Sequence, residues 1–528
     1  MKTLQHSTIR LLAISILVLG GSRPASAADI SWNKTSGSNA WTSNSNWTGG
    51  VVPGSLDRAL IQNTSNSTQT QTITMATDIA VDRILVNSPG VFTGIANATF
   101  SGANTLTINS NLTVGSATVP STVTFATNLT MANAAFTSRV IGANGASVIN
   151  FNSGYTMTGG FYANQSGTIN LNSSVLNTGA NAIALRIDAG TVNWNVGTFT
   201  SNATTANLIS LIGQNGNTPA TAATLNFATS FSSGGGFTLA HSALNTSNNV
   251  AMYGTANGVT IAGNILTNGA GTGGAAVNTI TLGANDTTAT SGSPSTITFT
   301  GNYNPTDTNA RTHQFSAAAD NTAVFSGIIS GGSAGSLFKK IGAGTVTFSG
   351  ASANTYNSTI STEVVAGTLL LQKSSGNALT SNSVTVDSGA TLKLGASNQI
   401  SNTSALTLSG GTLAAQSFAD TLGTLTLSGN SFISLSGGTL AFADSSAVTW
   451  GSFTLDISGF VSASSLRFGT NSSGLTADQL LKFTASGFNT FGLNSSGYLT
   501  AVPEPATWAL LAFSMTTIMV MRRRRCRN

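Results

Sequence analysis

The chain has 528 residues, of which 40% are hydrophobic and only 7% are charged. This apolar content excludes a disordered chain, and the single cysteine, Cys526, leaves the body without disulfides, a thiol nucleophile or a cysteine-based metal site. The net charge of +5 comes from the two ends, because residues 28–505 hold 12 basic and 15 acidic residues, so no basic surface for nucleic acid is expected.

Residues 1–27 are predicted to form a secretory signal peptide. Lys2 and Arg10 give the positive start, and residues 11–20 form an apolar run too short to span a bilayer, which argues against a membrane anchor. The small residues that precede and follow the expected cut are Ala25, Ala27 and Ala28. We therefore expect export across the inner membrane through the Sec translocon.

Residues 28–88 are predicted to form a tryptophan-rich N-terminal cap and the first coils of a repeat array. Trp32, Trp41 and Trp47 suit the covering of an open apolar end, and an aromatic platform for sugars is the alternative. This segment resembles the N-terminal part of secreted repeat proteins of the PEP-CTERM class.

Residues 89–323 read as a long, degenerate array of β-solenoid coils. Apolar residues alternate with Thr, Asn and Ser, as in half-buried strands. Gly145, Gly167 and Gly190 recur at steps of 22 and 23 before strand-like runs. The repeated asparagines predict side-chain ladders between stacked coils.

Residues 324–371 carry the clearest repeat. Gly344-Thr345 and Gly367-Thr368 are separated by a step of 23, and the same pattern follows at Gly389, Gly411 and Gly438 with steps of 22, 22 and 27. A period in the low twenties indicates a solenoid whose units must stack to bury their apolar faces. We therefore predict an all-β fold, a long parallel β-helix. A β-sandwich is the alternative, although its strands recur roughly every 8–12 residues.

The run from residue 337 to residue 371 resembles the autotransporter-associated β-strand repeat. The residues that fit its pattern are Leu337, Lys340, Gly342, Gly344, Thr345, Phe348, Ser349, Gly350, Asn354, Thr355, Tyr356, Thr359, Gly367, Thr368, Leu369 and Leu371. Asn357-Ser358 departs from the usual Ser-Gly. The resemblance implies a passenger-like rod. We expect no translocator barrel, because the sequence ends in a sorting helix rather than in alternating strands with aromatic girdles.

Residues 372–460 are predicted to continue the coils, and residues 461–500 to form a C-terminal cap. Within this cap, Thr476 is placed to act as the N-cap of a short helical turn. The ending before residue 501 also resembles proteins of the PEP-CTERM class.

Residues 501–528 resemble a PEP-CTERM sorting signal. It consists of a motif, an apolar segment over residues 506–521 and a basic end; the motif is Val502, Pro503, Glu504 and Pro505, and the basic end is Arg522, Arg523, Arg524 and Arg525. Sixteen helical residues span about 24 Å, slightly short for a permanent anchor, and the arginines stay cytoplasmic. The resemblance implies a single transmembrane sorting helix, held transiently in the inner membrane and cleaved by an exosortase of a Gram-negative bacterium. A plain tail anchor is the alternative.

The body offers little for catalysis. His241 and His313 are its only histidines, and neither lies near an acid at a suggestive spacing. The separation of Asp286 and Asp307 is close to the coil step, so they are the one carboxylate pair expected to stack. We expect no catalytic or metal-binding residue and no cofactor.

The sequence therefore predicts a secreted, non-catalytic rod at the cell surface or in the extracellular matrix, with about 20 coils and a length of roughly 100 Å. An adhesin or a scaffold that binds exopolysaccharide fits best. A β-helix polysaccharide lyase or hydrolase and a self-assembling surface-layer protein are the alternatives.

Overall fold

The computed structural model describes residues 27–88, 90, 92–116, 118–132, 141–158, 161–177, 185–195, 199–201, 209–213, 222–241, 249–268 and 279–503. Nearly all of the predicted signal peptide, and the sorting segment from Glu504 onward, lie outside these residues. Within them, no helix is long and apolar enough to cross a membrane.

The described chain is built from short β-strands. The first are β1 (Asp29–Ser31), β2 (Ser36–Ala40), β3 (Arg58–Ile61), β4 (Gln69–Thr74), β5 (Ile79–Val81), β6 (Arg83–Val86), β7 (Ala96–Ile108), β8 (Leu112–Val114), β9 (Thr122–Met131), β10 (Ile141–Ala143), β11 (Val148–Phe151), β12 (Tyr155–Met157), β13 (Phe161–Leu171), β14 (Val175–Asn177), β15 (Leu185–Trp194) and β16 (Phe199–Ser201).

The middle strands are β17 (Ile209–Gly213), β18 (Ala223–Phe227), β19 (Phe231–Ser232), β20 (Phe237–His241), β21 (Val250–Gly254), β22 (Thr260–Ala262), β23 (Ile265–Asn268), β24 (Thr279–Ala284), β25 (Ser295–Phe299), β26 (Tyr303–Pro305), β27 (Thr312–Ala317), β28 (Asn321–Phe325), β29 (Ser330–Gly331), β30 (Leu337–Ile341), β31 (Thr345–Gly350) and β32 (Thr355–Tyr356).

The last strands are β33 (Ser361–Val364), β34 (Thr368–Lys373), β35 (Ser383–Asp387), β36 (Thr391–Leu394), β37 (Ala405–Ser409), β38 (Thr412–Ala414), β39 (Ala419–Leu422), β40 (Leu425–Gly429), β41 (Ser431–Ser434), β42 (Thr439–Phe442), β43 (Leu455–Ser458), β44 (Leu466–Phe468), β45 (Phe483–Thr484), β46 (Phe488–Leu493) and β47 (Leu499–Pro503). The helical elements are the 3₁₀ turns Asn44–Asn46 and Thr48–Gly50 and the helix α1 (Ala477–Leu480).

The coils of the chain contribute strands to three parallel stacks, here called faces, and between β32 and β39 face one is reduced to the isolated bridge of Leu379 and Ile400. Face one contains β1, β3, β6, β8, β10, the first parts of β13 and β15, β17, β20, β23, β26, β29, β32, β39, β42 and β44. Face two contains β2, β4, the first parts of β7 and β9, β11, the second parts of β13 and β15, β18, β21, β24, β27, β30, β33, β35, β37 and β40.

Face three contains β5, the second parts of β7 and β9, β12, β14, β16, β19, β22, β25, β28, β31, β34, β36, β38, β41, β43 and β45. The parallel register from coil to coil confirms a parallel β-solenoid and contradicts a β-sandwich, in which antiparallel strands predominate.

The core is a set of columns formed by inward side chains. Alternate residues of each strand are buried, and identical types stack from coil to coil. Phe100, Phe125 and Phe151 lie one above another, with centroids 4.9 and 5.5 Å apart and rings nearly parallel. A Val/Leu/Phe alternation thus suffices to bury the apolar side of every strand.

The coil length varies more than a fixed repeat predicts. Thr345 pairs with Thr368 in the next coil, as the glycine spacing predicts. Elsewhere Leu406 pairs with Leu425, which makes that coil shorter, and Ser36 pairs with Thr70, which makes the first coil much longer.

One sequence equivalence is wrong. Thr412 lies on face three, where its partner in the next coil is Phe432, whereas Thr439, after Gly438, lies on face one opposite Ala419. Gly438, at the end of the last and longest glycine step, therefore precedes a strand of face one, whereas Gly411 precedes a strand of face three. The upstream glycine repeats likewise precede strands of face two, and those of the autotransporter-type repeat precede strands of face three.

The N-terminal end of the rod carries a tryptophan cluster, and the C-terminal end carries a capped helical turn. Trp47 makes edge contacts to Trp32 and to Trp41, each with centroids 4.7 Å apart, and all three are buried, so they form no exposed platform for a sugar. At the other end, the helical-turn prediction is confirmed, since the Thr476 hydroxyl accepts from the Gln479 backbone N–H and the Gln479 side chain accepts from the Thr476 N–H.

The close stacking of coils gives a test at the repeat glycines. A Cβ on Gly344 would lie 2.1 Å from the carbonyl oxygen of Ala318 in the preceding coil, whereas a Cβ on Gly389 meets nothing within 4 Å and is strained only by its φ of +76°. We expect Gly344→Ala to lower the free energy of unfolding by about 3 kcal/mol and Gly389→Ala by about 1 kcal/mol, as measured by urea unfolding. Equal losses would contradict this packing.

Candidate functional site

The outer surface of face two is a long uncharged surface in the described part of the chain. None of the strand residues of this face from β2 through β27 is charged. Its half-buried outward residues are mostly Thr, Asn and Ser. At a coil spacing of about 4.8 Å, the ten steps between these strands give a surface about 50 Å long.

An asparagine ladder runs along this face. Asn170 Nδ2 donates to Asn150 Oδ1 at 2.7 Å, and Asn193 and Asn226 continue the chain with bonds of 2.7 and 2.8 Å. At the start, Asn150 Nδ2 donates to the Thr124 hydroxyl at 3.2 Å. The predicted side-chain ladders are thereby confirmed.

A second ladder lies two residues further along the chain, directly after the ends of the same strands. Asn172 Nδ2 donates to Asn152 Oδ1 at 2.7 Å, and Asn195 Nδ2 donates to Asn172 Oδ1 at 2.6 Å. Every amide in both ladders points its NH₂ group toward the N-terminal coil. Each interior amide uses one N–H and one oxygen lone pair in the ladder, so a second N–H and a second lone pair remain for a ligand.

The first ladder stops at an aromatic ring. Tyr253 occupies the register position after Asn226. Burial raises the pKa of its hydroxyl, while a hydrogen bond with Thr281 acts in the opposite direction. The phenol therefore stays neutral at physiological pH and adds an apolar, hydrogen-bonding group to the face.

Among the described strands of face two, charged residues appear only beyond β27. Lys339 on β30 pairs with Glu363 on β33, with 2.8 Å between Nζ and Oε2. Burial, and then the neighbouring Glu363, raise the pKa of Asp387 at the end of β35. Sequence reasoning missed the carboxylate pair of Glu363 and Asp387, although the separation of these two residues in the sequence is close to the coil step.

The predicted couple of Asp286 and Asp307 is wrong. Asp286 follows β24 on face two and is bonded by the N–H and hydroxyl of Thr288, whereas Asp307 follows β26 on face one. The two residues thus lie at different corners of the coil, because corner insertions lengthen this coil beyond their separation, so that Thr279 pairs with Thr312.

Asp307 instead belongs to a buried polar cluster. Its carboxylate accepts from the Thr267 hydroxyl at 2.5 Å and lies 3.2 Å from Arg311 Nε. Burial and Asp307 raise the pKa of Tyr303, which therefore stays protonated, and its hydroxyl forms a hydrogen bond with His313 Nδ1 at 2.6 Å. His313 is 1% exposed, so a substrate cannot reach it. His241 ends β20, and its side chain is outside what the structure describes.

The repeat contains two buried lysines, Lys340 and Lys373, which hydrogen-bond to backbone carbonyl groups. Lys340 Nζ donates to the carbonyls of Gly342 and Ala366, which belong to successive coils, and Lys373 Nζ donates to that of Gly327. Burial lowers the pKa of both lysines to about 8. These side chains join corners rather than serve a ligand.

Asp420 is a buried carboxylate that joins two coils. It accepts the backbone N–H groups of Gln399, Ile400 and Thr421 at 2.8–3.2 Å. Burial raises its pKa to about 6, although these three donors act in the opposite direction.

The predicted processing residues are described only in part. Ala27 and Ala28 are exposed, and Ala28 N donates to Asp57 Oδ1 at 3.1 Å. Val502 is 60% exposed, and Pro503 ends β47. The others, Ala25, Glu504, Pro505 and Arg522 to Arg525, lie outside the described residues.

In the described part of the chain, no three His, Cys, Asp or Glu residues are grouped so that they could hold a metal ion.

No protein-family model, curated protein or solved structure matches the chain.

The ladder predicts a specific loss of stability. Asn193→Ala removes two amide hydrogen bonds and leaves Asn170 Oδ1 and Asn226 Nδ2 without ladder partners, so we expect a loss of about 2 kcal/mol in urea unfolding. Thr191→Ala on the same strand is the control and should cost less than about 0.5 kcal/mol. A ladder of no energetic value would make the two variants alike.

Asp420 predicts a pH dependence. Because its pKa is higher in the folded chain, the folded state holds the proton more strongly, and its contribution to stability is full below about pH 4 and disappears as the pH rises through 6. Relative to Asp420→Asn, the wild-type chain should lose up to roughly 3 kcal/mol of unfolding free energy between pH 4 and pH 7. Urea midpoints at both pH values measure this, and a pH-independent difference would contradict it.

Proposed function

We propose that this chain is a secreted, non-catalytic scaffold that binds neutral polysaccharide along face two. The observation that carries the proposal is the pair of asparagine ladders on an uncharged surface about 50 Å long. Amides and hydroxyls at a constant spacing match a polymer of hydroxyl groups. Many weak hydrogen bonds along one polymer then sum by multivalency.

Adhesion to a matrix also fits the absence of charged residues from the strands β2 through β27 of face two. Sugar hydroxyls hydrogen-bond well to neutral amides, and a face without ions does not select an ionic partner. The surface continues over ten coil steps, so it suits an extended polymer more than a compact small ligand.

Export is part of the proposal. Cleavage before Ala28 would place the new ammonium group beside Asp57 Oδ1, which already accepts from this nitrogen. A favourable ion pair at the mature N-terminus supports processing by signal peptidase at this bond, after passage through the Sec translocon.

Sorting at the C-terminus completes the proposal. The exposed Val502 leaves the start of the Val502–Pro505 motif accessible to an exosortase, with the apolar segment and Arg522 to Arg525 as a transient inner-membrane stop. We further propose that the tryptophan cluster and the hairpin of β46 and β47 cap the two ends of the rod.

The Glu363 and Asp387 couple is the observation that favours an enzyme instead. A carboxylate of raised pKa beside a second one is the pair that glycoside hydrolysis needs. If the chain acted as a hydrolase, it would release reducing ends from a bound polymer, and Glu363→Gln would stop this release.

The test is co-sedimentation of the purified chain with the neutral extracellular polysaccharide of the producing bacterium, with insoluble cellulose as a defined second polymer. Thr191→Glu places a charge in the centre of face two, so we expect at least tenfold weaker binding because the carboxylate would have to lose water.

Thr345→Glu is the matched control, because Gly344-Thr345-Val346 repeats the local sequence Gly190-Thr191-Val192 on face three. This variant should bind as the wild-type chain does. Equal loss in both variants, or no binding by the wild-type chain, would contradict the assignment of face two.

A further inference from the structure

A recess lies on the outer surface of face one, near the C-terminal end of the rod. It has a volume of about 260 Å³ and is formed by β39, β42 and β44 together with Tyr498. The polar residues that line it are Asn398, Asp420, Thr421, Thr439, Ser464 and Arg467.

Arg467 is the only cationic residue in this lining. Its guanidinium carbon lies 6.0 Å from the centroid of the Tyr498 ring, and the backbones of these two residues form an antiparallel bridge. The aromatic ring therefore orients the guanidinium group. Strand β44 fixes the other side, because Leu466 and Phe468 on either side of Arg467 are fully buried.

The guanidinium group of Arg467 has no anionic partner in the described part of the chain. Arg58, Arg83, Arg186 and Arg311 each pair with an aspartate, whereas no ion pair involves Arg467. Its Nε is shielded from solvent and has no hydrogen-bond acceptor among the described residues. The positive charge of this guanidinium is therefore not neutralised by a carboxylate of the described residues, and its other N–H groups remain to hold an anion.

Asp420 does not supply that anion. It shares the register of Leu440 and Leu466, whose side chains point inward, and it is only 3% exposed. Its two oxygens are bonded by three backbone N–H groups of Gln399, Ile400 and Thr421. The carboxylate thus serves the junction between coils.

The remaining lining selects the kind of anion. The hydroxyls of Thr421, Thr439 and Ser464 and the amide of Asn398 are donors and acceptors suited to sugar hydroxyls. Tyr498 offers an aromatic face, on which the C–H groups of a sugar ring pack. A planar guanidinium fork matches a carboxylate better than a point charge does.

We propose that this recess binds a hexuronate unit, with Arg467 holding its carboxylate and Tyr498 packing against the ring. The site goes beyond the proposed binding of neutral polymer on face two, because it lies on another face and takes an acidic sugar. A rod with both sites would hold a neutral chain along its length and an acidic chain at its end.

The experiment is a calorimetric titration of the purified full chain with glucuronate, and with glucose and glucuronate methyl ester as uncharged comparisons. We expect saturable binding of glucuronate that weakens several-fold when salt rises from 0.05 to 0.5 M, and at least tenfold weaker binding of both comparison sugars.

Arg467→Gln should reduce the affinity for glucuronate at least tenfold, and Arg467→Lys should give an intermediate value. Arg83→Gln is the matched control, since it removes an arginine from face one that already pairs with Asp82, and it should bind normally. Thr191→Glu should also bind glucuronate normally, which separates this site from face two.

Three results would overturn the proposal. The first is no saturable binding of glucuronate by the wild-type chain. The second is equal affinity for glucuronate and for its methyl ester. The third is displacement of glucuronate by equal concentrations of inorganic phosphate or acetate, which would mean a general anion site. The wild-type comparisons stand even if Arg467→Gln fails to fold.

Discussion

The pairing of each coil with the coils before and after it is the constraint on which the structure depends. No strand of this rod can satisfy its backbone or bury its apolar face alone, so stability is a sum of contacts between neighbouring coils. The corners obey the same rule. Asn354 Oδ1 accepts from Ile329 N and Asn354 Nδ2 donates to Ala378 O, which links three coils where face one is reduced to single bridges.

Because inward side chains and corners stabilise the fold, the outward side chains of the strands are available for binding. Inward columns are occupied by Phe, Leu, Ile and Val, and corners by buried polar groups such as Gln399 and Lys340. The side chains at outward positions do not pack in the core. Outward side chains at equivalent positions of neighbouring coils therefore lie at the constant coil spacing. Repeated asparagines form ladders at this spacing, whereas the single arginine Arg467 lines a separate recess.

Much of the fold could be predicted from the sequence, because alternation and glycine spacing report how often the chain turns. The asparagine ladders and the N-cap at Thr476 follow from the same local rules. The face on which a strand lies could not be predicted, since it depends on the lengths of all preceding corners. For this reason the glycine spacing predicts the wrong register for Gly438, and the coil step wrongly predicts one stack for Asp286 and Asp307.

The same uncertainty in register hid the two sites that combine distant segments. Glu363 and Asp387 come together only because Glu363 pairs with Thr385. Arg467 and Tyr498 meet only because the chain returns after β46 to form a bridge. Long-range pairing of this kind has no local sequence signal in a chain with variable corners.

The most direct test of a binding face that runs along the rod is the affinity of neutral oligosaccharides of increasing length, with reducing ends assayed in the same samples. An extended face predicts that affinity rises steadily with length until the oligosaccharide spans about 50 Å, with no new reducing ends. Affinity that stops rising after two or three sugar units, or release of reducing ends, would contradict the account.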